Sequence, residues 1–289
     1  MASKLILDGG IALVAGAASG IGKETALAFA EAGAKGVVFA DINLQGAQQV
    51  ADESQKGAKH AEYRALAVQL DIAEEASVQN LVATVLKEFG RVDYAVNSVG
   101  LDLEQYKSFT PMLDTDVFNK MINVHVRGTV FFVRALTGAM SQQEPLTYTG
   151  RHGTRTLGRG SIVLLGSTNS LAGAPGMISY TTGKHAILGI MRSAAVDVLA
   201  LQGGIRVNAV CPAWVDTPAV QSCIKANPLI GQVIDNMTPL KRAASPDEVA
   251  DYIVFLSSPS ASFINGTALP IDAGLTLPSP PPLPADYAA

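Results

Sequence analysis

The chain has 289 residues, 48% of them hydrophobic and 16% charged, which is ample for a sizeable core in one large domain or two small ones. A net charge of -4 at pH 7, with mixed-sign clusters such as KEFGRVD, leaves no basic footprint for nucleic acid. No apolar run reaches the roughly 18 residues of a membrane span, and the start MASKLILDGG leads into no cleavage pattern, so the expectation is a cytoplasmic protein without span or signal peptide.

Along the chain, short β-rich apolar runs alternate with helical patterns. IALVAG precedes GKETALAFAEAG; VVFAD precedes a helix from about Asn43; ALAVQLD precedes SVQNLVATVLKEFG. The rhythm continues through VDYAVNS, a long helix around Val117 to Met140, SIVLLGS, a helix opening at Tyr180, IRVNAV and a last strand near Ala268 to Ile271. Repeated βα units of this kind predict an α/β protein, a doubly wound parallel sheet of about seven strands with helices on both faces. Ser141 to Gly160 reads as an insertion whose default form is a mobile surface loop. The reading is one domain over 1–277 and a proline-rich, extended tail over 278–289. Cys211 and Cys223 fit reduced thiols, and His60, His125, His152 and His185 show no ligand spacing, so no metal is expected.

Three residues suggest proton transfer. Tyr180 and Lys184 fall one turn apart on the same face of a predicted helix, and Ser167 sits at the carboxyl end of a predicted buried strand. A tyrosine has a pKa of about 10, so acting as a base near neutral pH requires roughly 3 to 4 kcal/mol of preferential phenolate stabilisation. A nearby ammonium can supply it.

A second group points to a dinucleotide. After the first strand comes AGAASGIG, with Gly16, Gly20 and Gly22 at a strand-to-helix turn where backbone can approach a pyrophosphate and a helix N-terminus meets its charge. Asp41 ends the second strand about twenty residues on, where an acid bonds adenosine ribose hydroxyls. A 2′-phosphate ~4 Å from that carboxylate would be repelled by on the order of 4 kcal/mol, so NAD is favoured over NADP.

Taken together, AGAASGIG, NSVG (Asn97 to Gly100), Ser167, Tyr180 and Lys184 resemble the short-chain dehydrogenase/reductase family from about Gly9 to Leu275. The resemblance implies a Rossmann-type fold and makes Asn123, in MINVHVRGT, a fourth catalytic residue that anchors a water beside Lys184. It implies cofactor contacts from Gly16, Ser19, Gly20, Ile21, Gly22, Asp41, Asp71, Ile72, Asn97, Gly100, Tyr180, Lys184, Pro212, Val215 and Thr217, with Asp71 at the adenine and Val215 and Thr217 near the carboxamide. It further implies a substrate lid within about 211–245, centred on Gln221 to Arg242, and a homotetramer or homodimer. Three positions depart from the family pattern: Ala15 replaces a threonine, Ser98 and Val99 replace Asn-Ala, and Ala213 replaces a glycine. They bear on cofactor affinity rather than on proton transfer.

The resulting expectation is an NAD-dependent oxidoreductase of secondary alcohols and ketones. Tyr180 exchanges the proton, Ser167 hydrogen-bonds the same oxygen, and Lys184 lowers the phenol pKa and holds the nicotinamide ribose. Val215, Val220, Ile224, Leu229, Ile230, Val233, Ile234 and Met237 suit a hydrophobic, ring-containing polyketide, terpenoid or steroid-like substrate, or else ordinary packing. The alternatives are an NADP-dependent ketoreductase and a cofactor-binding protein with a non-redox isomerase, cyclase or sensor role.

Overall fold

The computed structural model of the protein describes residues 7, 9–104 and 108–277; the tail read over 278–289 lies outside the described residues. The strands are β1 (Ile11–Ala15), β2 (Gly36–Asp41), β3 (Arg64–Gln69), β4 (Tyr94–Asn97), β5 (Leu146–Gly150), β6 (Gly153–Gly158), β7 (Gly160–Leu165), β8 (Ile205–Pro212) and β9 (Ala268–Ile271). Seven of them form one sheet in the order β3-β2-β1-β4-β7-β8-β9, parallel at every pairing. The order reverses between β1 and β4, so the carboxyl ends of these two strands open a crevice beneath diverging connections.

The sheet is covered on both sides, which is why its strands read as near-continuous apolar runs. Along β1 the period of two sends Leu13 and Ala15 to one core and Ala12 and Val14 to the other. The first core is closed by α3 (Glu75–Phe89), α5 (Thr129–Ser141) and α6 (Ile178–Ala200), through Leu81, Leu136 and Met191 among others. The second is closed by α1 (Gly20–Glu31), α2 (Leu44–Ser54) and α9 (Pro246–Ser257), through Phe29, Val50 and Ile253. Among the described residues no helix is long and apolar enough to cross a membrane.

Two sequence expectations are corrected. The long helix is not continuous: α4 (Thr115–Ile122) runs into a π-helical turn over Asn123–Gly128 before α5 begins. Thr129 fixes the junction, its hydroxyl donating to the His125 carbonyl at 2.7 Å and accepting from Asn97 Nδ2 at 3.1 Å. Gly128 lies so close to the Ile72 carbonyl that a Cβ there would stand 2.9 Å from its oxygen. The extra residue of a π-turn shifts which side chains face inward, a shift that the mostly apolar sequence around it conceals.

The segment 141–160 is an ordered hairpin rather than a loop: β5 and β6 pair antiparallel around Arg151 and His152. Its strands carry alternating threonines, but both faces are largely exposed, so no apolar alternation marks them. Gln143 ties its base to the sheet by donating to the Val92 carbonyl at 2.7 Å and accepting from the Val92 amide at 3.2 Å. Arg155 ties its outer part, stacking on Tyr148 at 4.8 Å and donating to the Pro259 carbonyl at 3.0 Å. Arg155→Ala removes both ties, worth about 2 kcal/mol of local opening. Trypsin is expected to cleave after Arg151 roughly 30-fold faster in that variant, with the global unfolding midpoint nearly unchanged, as limited proteolysis beside calorimetry will show.

Candidate active site

The glycine turn is built by contacts that exclude side chains. A Cβ on Gly22 would sit 2.0 Å from the Gly16 carbonyl oxygen, and Gly16 itself has φ +83 with Ser98 backbone 3.0 Å from where its Cβ would be. The close approach seats the N-terminus of α1 on the end of β1. Ser19 precedes the helix in an extended conformation, φ -159, and its side chain caps no amide. The first amides of α1 therefore have no intrahelical acceptor and point into the crevice. Ile21 half-buries its side chain against the second core.

Asp41 terminates β2 facing this turn. One carboxylate oxygen accepts from the Ala18 amide at 3.0 Å and the other from the Asn43 amide at 2.9 Å, so the acid is held at the rim of the glycine loop. Asp71 lies two residues beyond β3 and accepts from the Ala73 amide at 3.0 Å, while Ile72 is buried in the first core. Asn97, at the end of β4, bonds Thr129 and accepts from the Val99 amide at 3.1 Å. Val99 packs against the first core. From the other side, Pro212 ends β8, Val215 is buried and bridges to Ala244, and Thr217 caps α7 (Pro218–Ala226). Thr217 Cγ2 lies 3.2 Å from the position of a Cβ on Gly20, so this segment closes over the glycine turn.

Ser167, Tyr180 and Lys184 converge in the same crevice. Ser167 lies just past β7, where its Oγ accepts from the Asn169 amide at 3.1 Å, leaving its proton free to be donated. The hydroxyl hydrogen-bonds the Tyr180 phenol. Lys184 follows one turn after Tyr180 on α6, 2% exposed, donating to the Leu165 carbonyl at 2.8 Å. Its Nζ stands 5.6 Å from the centre of the Tyr180 ring and 4.0 Å from where a Cβ on Gly100 would be.

Burial dominates the electrostatics of these groups. Burial pushes the Tyr180 phenol up to about 12, opposed by the Ser167 hydrogen bond and reinforced by the Asp102 carboxylate. Burial lowers the Lys184 ammonium to about 8, and its Nζ donates to the Leu165 carbonyl. Asn123 opens the π-turn, and its amide oxygen accepts from exposed Arg127 at 3.0 Å.

His125 and Asp102 escaped the sequence reading. His125 is 1% exposed, with Nε2 2.7 Å from the Leu101 carbonyl and its ring edge-on to Tyr180 at 5.6 Å. Burial, then the Lys184 charge, lowers its pKa to about 3, so it is neutral. Its only sequence signal is its place two residues after Asn123. The Asp102 charge acts on both Tyr180 and Cys223 of α7. Next comes α8 (Leu229–Met237), whose Ile234 is buried whereas Leu229, Val233 and Met237 are exposed. The apolar residues of this region are thus only partly core.

A family model described as enoyl-(acyl carrier protein) reductase matches residues 16–276. The short-chain dehydrogenase anuF of Penicillium roqueforti is 41% identical over 270 residues, 93% of this chain and 96% of that protein. A 2-(R)-hydroxypropyl-CoM dehydrogenase of Xanthobacter autotrophicus is 32% identical over 267 residues, 92% of this chain and 98% of that protein. Among solved structures, a 3-ketoacyl-(acyl-carrier-protein) reductase from Brucella melitensis complexed with NADH matches with a TM-score of 0.77 at 29% identity, over 93% of this chain and 98% of that one.

The buried ammonium predicts a pH signature in stability. Between the folded pKa of about 8 and the ordinary 10.5, the unfolded chain binds more protons than the folded one, so unfolding free energy rises with pH. Compared with Lys184→Met, the wild type should gain about 3 kcal/mol between pH 7 and pH 10.5, a difference that urea unfolding of both proteins at the two pH values measures.

Proposed function

The chain belongs to the short-chain dehydrogenase/reductase family and is an NAD(P)-dependent oxidoreductase; we propose that it interconverts a secondary alcohol and a ketone using NAD, on a hydrophobic, ring-containing substrate. One observation carries this reading: a serine hydroxyl, a phenol and a buried ammonium meet beside a glycine cradle that has no room for side chains. The cradle fits a dinucleotide, with Gly16, Gly20, Gly22 and the α1 amides at the pyrophosphate, Asp41 at the adenosine ribose and Lys184 at the second ribose. Asp71 and Ile72 border the adenine side, and Pro212, Val215 and Thr217 cover the nicotinamide side.

When bound, the nicotinamide supplies hydride transfer. Tyr180 gives its proton to the ketone oxygen in reduction and takes it from the alcohol in oxidation. Ser167, whose proton is free to be donated, hydrogen-bonds that same oxygen and orients it. General acid-base assistance of this kind is worth about 10²- to 10⁴-fold. The exposed and half-buried apolar side chains of α7 and α8, including Ile224, Leu229 and Met237, support a hydrophobic substrate. A homodimer or homotetramer through the outer faces of α5 and α6 fits their exposed Val130, Val196 and Leu199, although Ala195 faces inward into the core.

The choice of NAD rests on the Asp41 carboxylate at the loop rim, and the relative complexed with NADH is in keeping with it. Fluorescence titration should give tighter binding of NADH than of NADPH, and Asp41→Ala should narrow that preference by about 10²-fold. Tighter NADPH binding by the wild type would overturn the cofactor assignment.

A further inference from the structure

The helix that carries Tyr180 begins without a cap from the residue before it: Met177 makes no side-chain cap. The opening amides of such a helix need an acceptor from elsewhere. It comes from the connection after β4. Glu104, 3% exposed, accepts through Oε1 from the Ser179 amide at 3.0 Å and the Ser179 hydroxyl at 2.7 Å, and through Oε2 from the Tyr180 amide at 2.9 Å. The carboxylate thus grips the backbone of the residue whose phenol faces Ser167.

We propose that Glu104 is a positioning residue for proton transfer, its buried carboxylate fixing the Tyr180 backbone and through it the phenol. This rests on the reading of Tyr180 as the proton-transfer group. The connection that bears Glu104 is itself anchored on either side. Leu101 is held by His125 Nε2, and Ser108 donates its amide to the Gly176 carbonyl at 3.1 Å, next to the start of α6. The Glu104 amide donates to Asp102 Oδ1 at 2.9 Å, a turn immediately before the gripping side chain. Two amides, one hydroxyl and the positive end of a long helix satisfy the charge, so it needs no cationic partner. A neutral amide of the same size cannot replace it, because one of its two ends would present N–H to an N–H.

The test compares Glu104→Gln, Ser179→Ala and Tyr180→Phe. Glu104→Gln sets an amide nitrogen against either the Ser179 or the Tyr180 amide, whereas Ser179→Ala loses one bond to Oε1 and leaves Oε2 on Tyr180. With NADH and 1-tetralone as probe, Glu104→Gln is expected to lower kcat roughly 10- to 100-fold with the KM for NADH unchanged. Ser179→Ala is expected to lower the unfolding midpoint comparably and to keep kcat within about threefold. A purely structural cap would instead lower stability in both variants and kcat in neither. A Glu104→Gln enzyme that keeps its kcat while Tyr180→Phe loses turnover would overturn the proposal alone. Turnover surviving in Tyr180→Phe would overturn the proton-transfer reading beneath it. Hydrogen exchange at the Ser179 and Tyr180 amides needs no substrate: both should be protected in the wild type and at least one should lose that protection in Glu104→Gln, and unchanged protection at both would also refute the grip.

Discussion

Lys184 has lost almost all contact with water and recovers one hydrogen bond, to the Leu165 carbonyl at the end of β7. A buried ammonium with so few partners is costly, and the rest of the site is arranged around keeping it there. The same α6 turn that buries it presents Tyr180 toward Ser167, so the cation and the phenol cannot be moved independently. The crevice owes its position to the sheet, since β1 and β4 part company where the strand order reverses. Glycines at 16 and 22 then bring the α1 N-terminus against β1, and Thr217 closes from above.

This arrangement places opposed electrostatic demands close together. Near the glycine loop, the uncapped amides of α1 lie beside the Asp41 carboxylate. Around Tyr180, burial and the Asp102 charge favour neutral phenol over phenolate, and His125 is kept neutral by the same burial. The division matches a site in which charge is handled at one end and a neutral oxygen at the other. Glu104 belongs to neither end, yet it holds the helix that links them.

Much of the fold was legible because its sheet is buried on both faces: runs such as SIVLLGS and IALVAG announce themselves by composition. The placement of Gly16, Gly22 and Asp41 was legible because it is local, fixed by a strand end and the turn after it. The hairpin at β5 and β6 was hidden, since exposed threonines on both faces produce no apolar period. The π-turn was hidden because Val124, Val126 and Val130 keep the sequence apolar through the change of phase. Glu104 was least legible of all, because its partners lie far along the chain and only the finished fold brings them together. Ser167 was placed correctly in outline, but its bond to Asn169, which frees its proton for donation, depends on the short helical turn that follows.

The most direct measurement of the central claim is transfer of deuterium from NADH labelled at C4 into cyclic ketones such as 1-tetralone and 2-decalone, read by mass spectrometry of the alcohol. The account predicts an alcohol one mass unit heavier from only one of the two C4-labelled stereoisomers of NADH, with transfer lost in Tyr180→Phe. Label reaching none of the ketones despite tight NADH binding, or passing at an undiminished rate in Tyr180→Phe, would contradict it.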